Sequence, residues 1–276
     1  MSARRGRSAG ALLLPWAWMT LAAGPVEQVP EVGVSLVPDV VTLRAGASFR
    51  VAARLDIPDG WHLGWVNPGQ SGLPTTLSWT LPATIEAGAV TWSVPQRDDA
   101  AGVVSHIYRG VAAALQTLRV APGAAHGSVT LLARLQWGIC REICVPQSRE
   151  VRLIFPVTTG AMEPSPRWGG LEALLRATMP RDTVGLAVHA VRVAQGVELR
   201  LRSRTSGGLT PVAGTFFPAQ PKGAVAERVE PRTSRSAVVY LLSAYSAGRV
   251  TGVLVRENGA PHAVWLDLPV EAVEAP

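Results

Sequence analysis

Cysteine is scarce in this chain, with two in 276 residues. Two thiols cannot build a disulfide-rich scaffold or a four-cysteine zinc site. Lysine is scarcer, since Lys222 stands alone. Charged residues make up only 17%, and the arginines are scattered through alternating segments instead of forming runs. That pattern lacks the footprint of a nucleic-acid binder, and the expectation is no nucleic-acid partner. No glycine-rich phosphate loop, nucleophile elbow or pair of catalytic carboxylates is present, so a hydrolase has no residues to stand on. Apolar runs are short, and the best beyond the leader, Ser236 to Gly248, is stopped by Arg249 before it reaches the ~20 residues of a membrane span. What the chain does have is 47% hydrophobic residues and nine tryptophans. That content excludes disorder and suits one or two domains with real cores.

The formal charge of +6 is inflated by the leader. Residues 1–24 read as a secretory signal, with Arg4, Arg5 and Arg7 as the positive region, Ala11 to Leu21 as the apolar stretch and Ala22-Ala23-Gly24 as a small-residue cleavage site. The apolar stretch is too short to remain as a spanning anchor. Arg4-Arg5 sits in a poor match to a twin-arginine signal, so the general secretion route is expected. The mature protein is therefore expected to be soluble in an oxidising compartment, a bacterial periplasm, where a cysteine pair can form a disulfide.

Period-two alternation dominates the mature chain. Phe49, Val51, Ala53 and Leu55 share one face while Arg50 and Arg54 point the other way, the mark of a half-buried strand. Similar strands are predicted at Val90–Val94, Ala112–Val120, Ser128–Trp137 and Val151–Val157. Turn signals separate them at Pro58-Asp59-Gly60, Asn67-Pro68-Gly69, Pro82 and Pro122-Gly123. Residues 158–167 (TTGAMEPSPR) carry two prolines and no periodicity, and read as a linker. A short helix is expected at Leu171–Thr178, ended by Pro180. Alternation then resumes at Val197, Leu199 and Leu201, and Asn258-Gly259 signals a hairpin between Val253–Arg256 and Ala263–Leu268. The predicted fold class is all-β: two tandem β-sandwich domains after the signal peptide, over residues 28–157 and a smaller 168–276.

The chemistry concentrates at Cys140-Arg141-Glu142-Ile143-Cys144. Four residues of extended strand cover about 13 Å. The Cα atoms of a disulfide lie about 4.4–6.8 Å apart, so the sulfurs meet only if the chain bends at Arg141-Glu142. Three readings stay open on spacing alone. A staple is one, although a five-residue ring contributes only about 2 kcal/mol on the chain-entropy model, against nearly 5 for a hundred-residue loop. Thiol–disulfide exchange is the second, since a constrained, accessible disulfide tends to be labile. Metal ligation, including Cu(I) on two thiolates, is the third. Arg141 favours a thiolate and Glu142 opposes one, so the sign of the thiol shift is not legible. His62 and His106 are candidate proton acceptors or metal ligands, against the blander role of hydrogen-bonded structural histidines, and His126, His189 and His262 show no ligand spacing with them. Trp61, Trp65, Trp79 and Trp92 are expected to pack the first sandwich, and Asn67-Pro68-Gly69 to form a tight loop that borders the cysteines or closes a hairpin.

A family resemblance narrows these readings. The string Gly60-Trp61-His62-Leu63-Gly64-Trp65-Val66-Asn67-Pro68-Gly69-Gln70-Ser71-Gly72-Leu73-Pro74-Thr75-Thr76, followed by Trp79, Leu81-Pro82, Trp92, Pro95, Tyr108, Gly110 and then Trp137, Cys140, Cys144 and Pro146, resembles the periplasmic N-terminal region of DsbD/ScsB-type thiol:disulfide interchange reductases. Phe216-Phe217-Pro218 and Gly252-Val253-Leu254-Val255 extend the likeness over most of residues 30–270. The resemblance implies immunoglobulin-like sandwiches and a redox-active Cys140/Cys144 pair, with Cys144 forming the mixed disulfide and Cys140 resolving it. Tyr108, Trp137, Arg141, Glu142 and Pro146 become candidates for the cysteine surroundings, although Tyr108 reads equally well as a packed core residue. The implied partners are periplasmic thioredoxin-like or disulfide-isomerase-like proteins. No cofactor and no metal is expected. Family members usually continue into a membrane segment and a thioredoxin-like domain, whereas this sequence stops at Pro276, so the expectation is either a separate membrane or thioredoxin-like electron donor or a truncated relative. Arg97-Asp98-Asp99-Ala100 stands where relatives tend to carry an aromatic or apolar residue in a loop near the cysteines, which predicts weaker shielding. The alternative from another class is a non-enzymatic periplasmic adaptor with a structural disulfide and a link to copper tolerance.

Overall fold

The structure is a computed structural model that describes residues 28–100, 102–181, 186–205, 208–211, 214–229, 238–257 and 263–272. The leader, the Asn258-Gly259 turn and His262 lie outside the described residues. Eleven strands come first: β1 (Gly33–Pro38), β2 (Leu43–Arg44), β3 (Ser48–Asp56), β4 (His62–Gly69), β5 (Thr76–Thr80), β6 (Ile85–Trp92), β7 (Gln96–Ala100), β8 (Val103–Tyr108), β9 (Val111–Val120), β10 (Gly127–Cys140) and β11 (Cys144–Thr158). Helix α1 (Gly169–Thr178) follows, then β12 (Leu186–Val193), β13 (Gly196–Thr205), β14 (Gly208–Pro211), β15 (Gly214–Pro218), β16 (Glu227–Val229), β17 (Val238–Ser243), β18 (Arg249–Arg256) and β19 (Ala263–Glu271). The chain is all-β and immunoglobulin-like, with one helix among the described residues.

Strands β1–β11 form two sheets. One has the order β1-β3-β9-β6, and the other has the order β2-β11-β10-β4-β8-β7, with β5 also paired to β10. The alternation in β3 acts as expected: Phe49, Val51, Ala53 and Leu55 enter the core with Leu63, Trp65, Leu118, Leu135 and Ile139. Trp61, Trp65 and Trp92 are buried in this core and Trp79 packs against it, so the tryptophans are packing residues. The opposite face of β3 is also partly covered. Ala52 joins Val37 and Ala113 beneath Leu171 and Leu175 of α1, and the Arg50 guanidinium stacks 4.9 Å from the Trp168 ring centroid. Burying such a stripe of leucines holds a ten-residue helix that would be marginal alone.

The remaining strands form an eight-stranded sheet ordered β15-β18-β19-β12-β13-β17-β16, with β14 on β13 and a core of its own around Leu199, Phe216, Val250 and Leu266. Strands β18 and β19 pair antiparallel, as the hairpin signal requires. Residues 158–167 do not stand away from the first sandwich, since Val41 N–H donates to Glu163 O and Ser165 N–H to Asp39 O. Phe217, Val253 and Ala263 pack into the first core.

Three expectations need correction. Strand β6 starts at Ile85, not Val90, because a bulge between Ala87 and Val90 breaks the alternation that sequence patterning relies on. Asn67-Pro68-Gly69 is no hairpin turn but the irregular end of β4, where the register against β8 shifts between Gly64 and Gly69. Arg97–Ala100 is an edge strand, β7, paired to β8, and not a loop.

Candidate functional site

The cysteines close a hairpin. Strands β10 and β11 pair without interruption from Gly127↔Val157 to Cys140↔Cys144, so the two cysteines face each other as the last pair before the Arg141-Glu142-Ile143 turn. They form a disulfide with Cα atoms 4.1 Å apart, and the Arg141 N–H donates to Ile143 O within the ring. The predicted bend is therefore present.

The two sulfurs are not equivalent. Strand β10 is flanked on its other side by β4, through Ile139↔Leu63 and Cys140↔His62, whereas β11 at this end is the sheet edge. Cys140 is consequently 2% exposed and Cys144 is exposed beside Ile143, itself 71% exposed. Pro146, opposite Gly138, has no N–H to offer a further strand, which suits an edge that must stay open without recruiting other chains.

A loop leans on the same face. Gly138 lies two residues before Cys140 and so shares its face of β10. A Cβ there would meet the Leu73 Cβ at 2.7 Å, and one on Gly64 would meet the Leu73 carbonyl oxygen at 2.3 Å. Both glycines let the Leu73 segment settle on the sheet, held by the Thr75 N–H and Oγ1–H bonds to Gly64 O at 3.2 and 2.6 Å. Leu73 and Gly138 were not among the residues that the sequence singled out, although the Gly60–Thr76 string contains the loop.

Of the expected surrounding residues, Arg141 and Glu142 lie in the exposed turn and Pro146 on the adjacent edge. Trp137 is buried in the core and donates from Nε1 to Gln147 Oε1 at 3.1 Å. Tyr108 is also in the core, its hydroxyl donating to Ser93 O at 2.7 Å. Burial pushes its pKa far up, so it stays a neutral phenol. In the sheet Tyr108 is the partner of Leu63, on the row of Ile139 and hence on the face opposite Cys140.

His62 occupies the row of the cysteines. It is half-buried, and its pKa is held below the ordinary histidine value by desolvation and by Arg109, with Asp98 opposing. Asp98 and Arg109 are ion-paired at 3.2 Å. The edge strand that replaces the expected loop thus reaches the site through charge. His106 is elsewhere and fully buried: Nδ1 donates to Asn67 O at 3.0 Å, and Nε2 is buried without a hydrogen-bond partner among the described residues. Burial lowers its pKa to about 4. His126 is exposed and His189 pairs with Glu271 at 3.3 Å, so the histidines are dispersed.

Comparison with known proteins agrees with this geometry. Residues 35–156 match the family model described as thiol:disulfide interchange protein DsbD, N-terminal, and this range contains both sandwich sheets and the disulfide. Over that range, somewhat under half of its length, the chain is similar to the DsbD N-terminal family. The crystal structure of the N-terminal periplasmic domain of ScsB from Proteus mirabilis superposes with a TM-score of 0.59 at 13% identity, covering 86% of this chain and 93% of that one, a likeness of fold. The reduced DsbD N-terminal domain of Neisseria meningitidis matches at 17% identity over 47% of this chain and 90% of that one, with a TM-score of 0.25 that adds no weight. No curated protein matches the chain. Among the described residues no helix is long and apolar enough to cross a membrane.

Proposed function

We propose that the chain is a periplasmic thiol–disulfide interchange protein that relays reducing equivalents through Cys140 and Cys144, taking them from a membrane or thioredoxin-like donor and passing them to thioredoxin-like or disulfide-isomerase-like partners. Residues 28–157 form the redox domain, and residues 168–276, joined through 158–167, form a second domain that supports it. The observation that carries the proposal is the asymmetry of the pair, one cysteine exposed on a sheet edge and the other buried one strand inward. Exchange needs an accessible sulfur for the incoming thiolate and a protected partner that closes the ring again. A staple gains nothing from that asymmetry, and a five-residue ring does little for stability.

Two exchanges follow. A donor thiolate attacks Cys144 Sγ, the Cys140–Cys144 bond breaks, and a second donor thiol releases the donor as its own disulfide. The resulting dithiol then reduces a client: Cys144 attacks the client disulfide, and Cys140 displaces the client from the mixed disulfide. Replacing Cys140 by Ser removes the resolving thiol. The expected outcome is that Cys140→Ser accumulates mixed disulfides with an oxidised thioredoxin-like protein on non-reducing gels. Cys144→Ser, which leaves only the buried thiol, should trap little. Equal trapping by the two variants would contradict the assigned roles.

A further inference from the structure

We propose that His62 is the base that takes the proton from the Cys140 thiol when Cys140 resolves a mixed disulfide on Cys144. This inference rests on the exchange reading above. A cross-strand row makes the case. Cys144, Cys140 and His62 are successive register partners on β11, β10 and β4, so their side chains rise from one face of the sheet. Directly opposed residues have Cβ atoms about 4.5–5.5 Å apart, which puts the imidazole within reach of the buried sulfur.

The chemistry of resolution needs such a group. A buried thiol is a poor acid, because desolvation disfavours the thiolate. In the reduced protein, Cys144 thiolate attacks a client disulfide and one client sulfur leaves. Cys140 must then lose its proton: the S–H electron pair stays on sulfur, the proton goes to the imidazole, the thiolate attacks Cys144 Sγ, and the second client sulfur departs with the electron pair of the broken bond. Two electrons pass to the client, and the imidazolium returns its proton to the departing thiolate. In the reverse direction the imidazole takes the proton of the donor thiol that attacks Cys144, and the resulting imidazolium passes it to the displaced Cys140 thiolate.

The groups around His62 suit a base. Arg109 follows Tyr108 at the end of β8 and lowers the imidazole pKa, while Asp98 on β7 raises it and is itself paired with Arg109. Arg141 and Glu142 lie in the exposed turn between the cysteines, and Tyr108 points to the opposite face. The neutral ring thus prevails at neutral pH. A general base of this kind contributes on the order of 100-fold or more to a rate.

The test follows the reduced protein after mixing with oxidised glutathione, with acid quenching and mass spectrometry to count the glutathionylated species. In the wild type, resolution should level off with pH near the imidazole pKa, below the range of an ordinary thiol. In His62→Gln the glutathione adduct should persist about 100-fold longer at pH 7, and its decay should quicken tenfold per pH unit. Arg109→Gln keeps the imidazole and should move the midpoint of the profile to higher pH, so it carries the test if His62→Gln does not fold. Wild-type decay with an unchanged profile in His62→Gln, or an unmoved midpoint in Arg109→Gln, would overturn the assignment to His62 alone. Failure of the folded wild type to form any adduct on Cys144 would overturn the exchange reading and this inference with it.

Discussion

His62 and His106 show how far residue type alone leads. Both belong to recognisable strings, and both could be proton acceptors by chemistry, yet their environments divide them. His62 joins the cysteine row through pairings to a strand 78 positions away, a relation that no local pattern encodes. His106 is sealed beneath Trp65 and Phe217, with ring centroids 6.2 and 5.2 Å away. Its pKa of about 4 in the folded protein lies below the ~6.5 of the unfolded chain, so its contribution to stability is complete above about pH 6.5 and is lost as pH falls toward 4. The linked loss amounts to about 3 kcal/mol. Urea unfolding at pH 7 and pH 4 should show a smaller difference between the two in His106→Gln than in the wild type by about that amount, and an identical difference would refute the neutral buried imidazole. The cysteine pair itself was legible, since five residues dictate a tight ring. Which sulfur is exposed was not, because that follows from β11 being the sheet edge.

At the scale of elements, strands with clean alternation were the legible part. Strands β3, β9, β10 and β11 bury one face, and their hydrophobic period is visible without knowledge of their partners. Irregular strands hid themselves. The Asn67-Pro68-Gly69 signal is real turn chemistry, but there the Asn67 side chain accepts from the Gly69 N–H at 3.1 Å inside a bulged strand. The β10–β11 hairpin also predicts how reduction should act. Its ladder runs fourteen pairs from Gly127 to Cys140, and the ring closed by the disulfide spans five residues. Losing so small a ring should lower stability by only about 2 kcal/mol. Near-ultraviolet circular dichroism of the Cys140→Ser/Cys144→Ser protein should therefore stay native, and collapse of the signal would assign the bond a structural role.

Across the whole molecule, a buried side chain that sequence reading placed in a turn joins the two halves alongside the packing of Phe217, Val253 and Ala263. Asn67 Nδ2 donates to Pro218 O and Ala224 O at 2.7 and 2.8 Å, and Oδ1 accepts from the Gly223 N–H at 2.9 Å. Contacts more than 150 residues apart leave no periodic trace, which explains why the alternating strands on either side were foreseeable and the seam between them was not. Asn67→Ala strands several buried backbone groups, each worth about 1–3 kcal/mol. Hydrogen exchange should then lose protection around residues 218–226 while β3 and β9 keep theirs, and unchanged protection at the seam would show that Phe217 packing alone holds it. The seam adjoins the β7–β8 edge, where the Arg97 guanidinium donates to Ala226 O at 3.3 Å, so the second sheet steadies the strands that carry Asp98 and Arg109.

The central claim is that Cys140–Cys144 is an exchanging bond on a fold that stands without it. Equilibrating the protein in graded glutathione and dithiothreitol buffers, with Trp137-sensitive fluorescence and thiol alkylation as readouts, tests it most directly. The account predicts a reversible two-electron transition at a potential above about −300 mV, with the protein folded at both ends. A disulfide that resists reduction until the chain unfolds would contradict it.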